Sequence, residues 1–167
     1  MQPRRFGSTG LTVSPLGLGT MTWGRDTDAH DTGEMVRAFL DSGGTVIDTA
    51  ASYADGAAEE IIAGLVHTGI ARRDVVLVGK SGVQRTASGS LVLNAGRGAL
   101  LDDLDASLLR LGTDHLDLWL VQAPDRLTPA SETATALEIA VRSGRARYVG
   151  VSNYPGWASA QIAGLMS

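Results

Sequence analysis

Thr45-Val46-Ile47-Asp48-Thr49-Ala50-Ala51-Ser52-Tyr53 is the stretch from which the rest of the chain can be read. A short apolar run, Val46-Ile47, stops on a carboxylate, and a tyrosine follows five residues later among small side chains. Further on, a stronger apolar run, Val75-Val76-Leu77-Val78-Gly79, ends on Lys80. These are two buried strands, each closing on an ionisable residue. In parallel α/β proteins the carboxyl ends of the strands face the ligand. Asp48, Tyr53 and Lys80 can therefore converge at one mouth. An ammonium beside a phenol stabilises the phenolate left after proton donation, and Asp48 supplies the counter-ion that Lys80 needs.

Outward from that stretch, the chain reads as a hairpin followed by five strand–helix units. Arg4 to Val13 is the hairpin, turning at Gly7-Ser8-Thr9-Gly10. Leu16 to Thr20 is a short glycine-rich strand, with Met21-Thr22-Trp23-Gly24 as the loop behind it. Helical spacing runs from Asp31 to Ser42, stopped by Gly43-Gly44, and again from Ala57 to His67. Asp74 to Lys80 is the third strand, and Ser81 to Gly96 reads as a long polar loop. Leu100, Leu101, Leu104, Leu108 and Leu111 are in register on a helix over 97–111. Leu116 to Val121 is a strand closed by Gln122-Ala123-Pro124. A helix over 131–142 follows, with Ser131 as its expected N-cap and Gly144 as its stop. Ala146 to Val151 is the fifth strand, and Pro155 opens a fifth helix.

Repeated βα units argue a parallel sheet with right-handed crossovers. A five-stranded doubly wound sheet and the first five units of a (β/α)8 barrel fit this pattern equally. The sequence stops inside a helix with no capping signal, which favours the N-terminal portion of a longer barrel. The expectation is one domain over residues 1–167, truncated at its C-terminus.

The chain has 167 residues, 44% of them apolar and 19% charged, enough for one domain with its own core. Its net charge of −4 gives nucleic-acid binding little support. Arg142, Arg145 and Arg147 cluster, but near a helix end, where a solvated or dipole-compensating cluster is expected. The absence of cysteine excludes disulfides, cysteine metal sites and a thiol nucleophile, and is compatible with the cytoplasm. No apolar run approaches the ~20 residues of a membrane span, and the N-terminus lacks an apolar signal region. A cytoplasmic protein without a membrane or nucleic-acid partner is expected.

Several motifs fail on inspection. Val78-Gly79-Lys80-Ser81 lacks the upstream glycine of a phosphate loop, where Asp74 stands. Gly17-x-Gly19 lacks the third glycine of a dinucleotide fingerprint, where Thr22 stands. His30, His67 and His115 have no metal-ligand spacing, so no metal is expected. No Gly-x-Ser-x-Gly elbow is present. Singly, Asp48 could be a cap, Tyr53 a half-buried core residue, Lys80 a surface residue and Ser152-Asn153 a turn before Pro155. Jointly they carry complementary chemistry at one end of the strands.

With those residues in view, the chain resembles the aldo-keto reductases from about Arg4 onward. The resemblance rests on Phe6-Gly-Ser-Thr-Gly10-Leu-Thr-Val-Ser14, Leu16-Gly-Leu-Gly-Thr-Met21 and Asp48-Thr-Ala-Ala-Ser-Tyr53. It continues through Glu59-Glu60-Ile61-Ile62, Ser107-Leu-Leu-Arg-Leu111, Asp114-His-Leu-Asp-Leu118 and Val149-Gly-Val-Ser-Asn153. It implies a (β/α)8 TIM-type barrel plugged by the hairpin, and NADP(H)-dependent reduction of a small aldehyde or ketone. Asp48, Tyr53 and Lys80 fall on three of the family's four catalytic positions. The fourth, usually histidine, is Gln122 here, within Val121-Gln122-Ala123-Pro124-Asp125. The potassium-channel β subunits, relatives of the family, carry an asparagine there. Gly19, Thr20, Met21, Asp48, Ser152 and Asn153 are the implied cofactor-binding set, with Ser152 and Asn153 at the nicotinamide carboxamide. Trp23 and Met21 are expected to wall the substrate pocket beside Tyr53.

Tyr53 would then donate a proton to the carbonyl oxygen as hydride arrives at carbon. An altered fourth position leaves a second possibility, a catalytically weak binding or regulatory module that senses nicotinamide cofactor. A stand-alone flavodoxin-like binding domain is a third. Self-association through open barrel edges is also expected of a partial barrel.

Overall fold

The computed structural model describes residues 1–86 and 88–166, the side chain of residue 29 apart. Residue 87, within the expected loop, and residue 167 lie outside that description. Two short strands, β1 (Arg4–Arg5) and β2 (Thr12–Val13), pair antiparallel as the N-terminal hairpin. Five parallel strands follow: β3 (Gly17–Gly19), β4 (Val46–Asp48), β5 (Val76–Ser81), β8 (Leu116–Val121) and β9 (Ala146–Val151). Between β5 and β8 lies a second antiparallel hairpin, β6 (Val83–Arg85) with β7 (Leu91–Leu93). The helices are α1 (Ala29–Asp41), α2 (Ala57–His67), α3 (Arg97–Leu111), α4 (Ala130–Arg142) and α5 (Gly156–Leu165).

The order of strands in the sheet is β3-β4-β5-β8-β9, the order of the chain. A doubly wound sheet reverses direction at a switch point; this one never does. Right-handed crossovers in one direction place every helix on the same side. Each helix accordingly packs on the next, from α1 to α5. The arrangement is that of a barrel wall, and the open choice between the two architectures is settled in favour of the barrel type.

The helix side of the wall is the core. Ile47, Leu77, Trp119 and Val121 point toward the helices and meet Ile62, Leu104, Leu108, Leu137 and Ile162. Four of the five leucines noted on α3 are buried, and Leu101 packs against the cluster's edge. Side chains on alternate residues point the other way. At the base of that inner face, Val46, Val78 and Leu118 meet the first hairpin's Phe6, Leu11 and Val13 around a depression of about 350 Å³. The hairpin thus plugs the wall from below.

Local signals explain most helix ends. Asp28 caps α1 by accepting from the backbone N–H groups of His30 and Asp31. Gly112, left-handed at φ 64°, stops α3. Ser131 is not the N-cap of α4. The extended backbone of Pro129 precedes the first turn, so the helix starts at Ala130 and Ser131 lies inside it. The segment over 81–96 is not a featureless loop either. Its ladder pairs Val83 with Leu93 and Arg85 with Leu91.

Candidate active site

The inner-face alternation that places Val46 and Val78 at the base places Asp48 and Lys80 one pleat higher, at the carboxyl mouth. On β8 the same alternation runs Leu118, Leu120, Gln122. Lys80 is 7% exposed and its ammonium has three partners. It donates to Asp48 Oδ2 at 2.6 Å, to the Thr49 carbonyl at 3.0 Å and to Tyr53 Oη at 3.2 Å. Its Nζ also stands 5.0 Å from the centre of the Tyr53 ring. A buried ammonium demands full compensation, and Asp48, Thr49 and Tyr53 provide it.

Tyr53 is delivered by a tight turn over Tyr53–Gly56. Ala54 and Asp55 have φ of 48° and 54°, and Gly56 has φ of 96°. Three successive left-handed residues are strained for side chains other than glycine. They swing the chain sharply from the end of β4 into α2. A Cβ on Gly56 would stand 2.7 Å from Arg110 Cδ, so this glycine is required by space as well as by φ. Asp55 in the turn pairs with Arg85 of the second hairpin at 3.1 Å.

Gln122 follows β8 and is held at several points. Its N–H donates to the Ser81 carbonyl at 2.9 Å, and its own carbonyl accepts from Asn153 Nδ2 at 2.8 Å. Its side-chain Oε1 accepts from the Ser52 hydroxyl at 2.9 Å. Asn153 sits at φ 61° and also donates to Ser152 Oγ at 3.2 Å. The loop beyond Gln122 is pinned by Asp125. Burial pushes that carboxyl up, but donors from Thr128, Leu127 and Ala95 outweigh it and hold it below the usual carboxylate range.

A cleft of about 680 Å³ opens above this set. Met21, Gly24, Arg25, Ser52, Tyr53 and Gln122 line it from the wall side. Asp55 of the turn and Val83, Arg85 and Leu91 of the second hairpin line the rest.

The structure brings together Asp48, Tyr53, Lys80 and Gln122, with Ser152 and Asn153 beside Gln122. It does not place Trp23 in the cleft. Trp23 is 1% exposed and belongs to the helix-side core, because a large aromatic gains more from full burial than a loop position suggests. Its neighbours Met21 and Gly24 form the wall instead. Thr20 is not open to a ligand. It is fully buried, its N–H and hydroxyl both donate to the Asp48 carbonyl, and its carbonyl accepts from the Trp23 N–H. It braces Asp48 from behind. Gly19 remains on the exposed side, with open space around it.

Sequence reasoning missed Ser52 and the second hairpin. Ser52 carried no signal beyond adjacency to Tyr53. The hairpin had one, since Gly82 precedes, and Ser88-Gly89 separates, two short runs that became its strands. Among the described residues no cluster of three or more His, Asp or Glu could hold a metal ion, and no helix is long and apolar enough to cross a membrane.

Comparison with known proteins places this geometry. The aldo/keto reductase family model matches residues 15–166. The chain is 36% identical over 159 residues to aldo-keto reductase YhdN of Bacillus subtilis, covering 92% of this chain and 47% of that protein. It is 37% identical over 165 residues to the uncharacterized oxidoreductase YrpG of the same organism, covering 94% and 51%. Among solved structures, the holo form of aldo-keto reductase AKR11C1 from Bacillus halodurans superposes with a TM-score of 0.82 at 30% identity. That match covers 92% of this chain and 50% of the other. The chain thus spans about half the length of the relatives it matches. With a barrel-type wall, a basal hairpin and this family match along most of its length, the chain belongs to the aldo/keto reductase family.

Proposed function

We propose that this chain carries the catalytic face of an NADP(H)-dependent reductase of small aldehydes or ketones, with Tyr53 as general acid. The observation that carries the reading is the Lys80 ammonium, bonded at once to the Asp48 carboxylate and the Tyr53 phenol at the mouth of the wall. A proton donor must lie within hydrogen-bond reach of the atom it serves. Tyr53 meets that need for a carbonyl oxygen entering the cleft. As Tyr53 gives up its proton, the Lys80 ammonium stabilises the phenolate, and Asp48 holds Lys80 in place. The carboxamide NH₂ of Gln122 can donate a hydrogen bond to the same oxygen and share its developing charge.

A nicotinamide cofactor, when bound, supplies the hydride. The residues present suit its carboxamide end: Ser152 and Asn153 offer donors and acceptors beside Gln122, and the cleft is open toward Met21. Residues 1–167 are read as one domain of a cytoplasmic protein. Residues 1–167 alone are expected to bind NADPH weakly or not at all, so the test is NADPH oxidation by a full-length form that completes the barrel, in the presence of 4-nitrobenzaldehyde. Aldehyde-dependent loss of NADPH, abolished in Tyr53→Phe, supports the reading. NADPH binding without turnover would favour the alternative, a cofactor-sensing module, for which glutamine at position 122 is the specific argument.

A further inference from the structure

A carboxamide has an acceptor on one side and a donor on the other. Which side serves a ligand depends on what holds the opposite one. At Gln122 the backbone N–H, the backbone carbonyl and Oε1 are all engaged, by Ser81, Asn153 and Ser52. The side-chain NH₂ makes no hydrogen bond to any described residue. Gln122, Ser52 and Tyr53 line the same cleft. Ser52 is next to Tyr53 in the chain, so the phenol and the partner of the carboxamide are set by adjacent residues.

We propose that Ser52 is a positioning residue for Gln122. Its hydroxyl hydrogen occupies Oε1 and leaves the NH₂ as the free group, which makes position 122 a donor toward the oxygen that Tyr53 protonates. This rests on the reductase reading and deepens it. Without the hydroxyl, the carboxamide is free to turn over. Its NH₂ would then no longer be held toward the carbonyl oxygen of the substrate, and the gain in the transition state would be lost. Ser52 touches neither substrate nor cofactor in this scheme and acts through Gln122.

The experiment is a double-mutant cycle on kcat, with NADPH and 4-nitrobenzaldehyde as probes. Ser52→Ala should lower kcat by roughly three- to tenfold, the span of one hydrogen bond. The Kd for NADPH should not change, and Ser52→Thr should restore the rate. In a Gln122→Leu background, Ser52→Ala should have no further effect. A loss of the same size in both backgrounds, or no loss in either, overturns the proposal. If the unmutated protein does not oxidise NADPH, the reductase reading fails instead. The Ser52 assignment is then decided by the Gln122 side-chain NH₂ signals in NMR of nitrogen-labelled protein, identified by their loss in Gln122→Leu. Signals that shift in Ser52→Ala sustain it, and unmoved signals overturn it.

Discussion

Arg110 Nε lies 2.6 Å from Glu59 Oε2, and the Glu59 side chain has no exposure to solvent. The pair joins α3 to α2 directly behind the turn that presents Tyr53, with the Arg110 stem packed on Gly56. Compensation is incomplete, because Glu59 Oε1 has no hydrogen-bond partner among the described residues. Burial pushes the Glu59 carboxyl up against the pull of Arg110 and of the nearby Ser107 hydroxyl.

That direction fixes the sign of a pH effect. A folded value above the unfolded one gives a stability contribution fully present below the unfolded value. It is lost as pH rises through the folded value. The unmutated protein should therefore gain on Glu59→Gln between neutral pH and about pH 4, where a free glutamate titrates. Urea denaturation of both proteins at the two pH values measures the gap. A gap that stays constant would show that Glu59 is not raised.

Tyr53→Phe should lower the rate of carbonyl reduction by about 10²–10⁴, the usual size of a general-acid contribution. The phenyl ring keeps its packing, so NADPH affinity should barely move. If Phe at this position retains most of the activity, another group is the acid.

Gln122→His should raise kcat for reduction by roughly tenfold or more, because histidine can take up and release protons near neutral pH and an amide cannot. Alcohol oxidation should benefit more than reduction, since it needs a proton acceptor at that spot. An unchanged rate with an intact circular dichroism spectrum would mean that the cleft is not organised around position 122.

Arg85 joins the second hairpin to Asp55, and both side chains are largely exposed. An exposed pair contributes at most about 1 kcal/mol, so Arg85→Gln should leave thermal stability nearly unchanged. Its effect should fall on KM for the aldehyde, because Arg85, Val83 and Leu91 line the cleft. A fall in kcat with KM unchanged would argue against the hairpin as a substrate wall.

Residues 1–167, expressed alone, should self-associate. The wall has two edge strands, β3 and β9, each paired on one side only, and open edges recruit further strands. Light scattering after gel filtration checks this. A monodisperse, cooperatively folding monomer would exclude it.

Much of this protein could be read from its sequence, where the signals are local. Helices α2 and α3 and strands β8 and β9 follow from apolar periodicity, because each element buries one face whatever its neighbours are. Asp48 and Lys80 stood out because each ends an apolar run, and strand ends in a parallel sheet share one mouth. Tertiary structure decided what depends on distant partners. Strand order, and with it barrel over doubly wound sheet, is set by pairing between segments far apart in the chain. Thr20 lies between the exposed Gly19 and Met21, and Trp23 two residues beyond Met21, but both turn inward, since the path of a loop rather than its composition selects which side chain is buried. The second hairpin formed where a polar loop was expected, because Asp103 of α3 accepts from Gly82 N–H and Gln84 Nε2 and holds its first strand in place. Ser52 and Gln122 meet across 70 positions of sequence. No local pattern carries that contact, because it exists only once β4 and β8 are set in the same wall with their carboxyl ends at the same mouth.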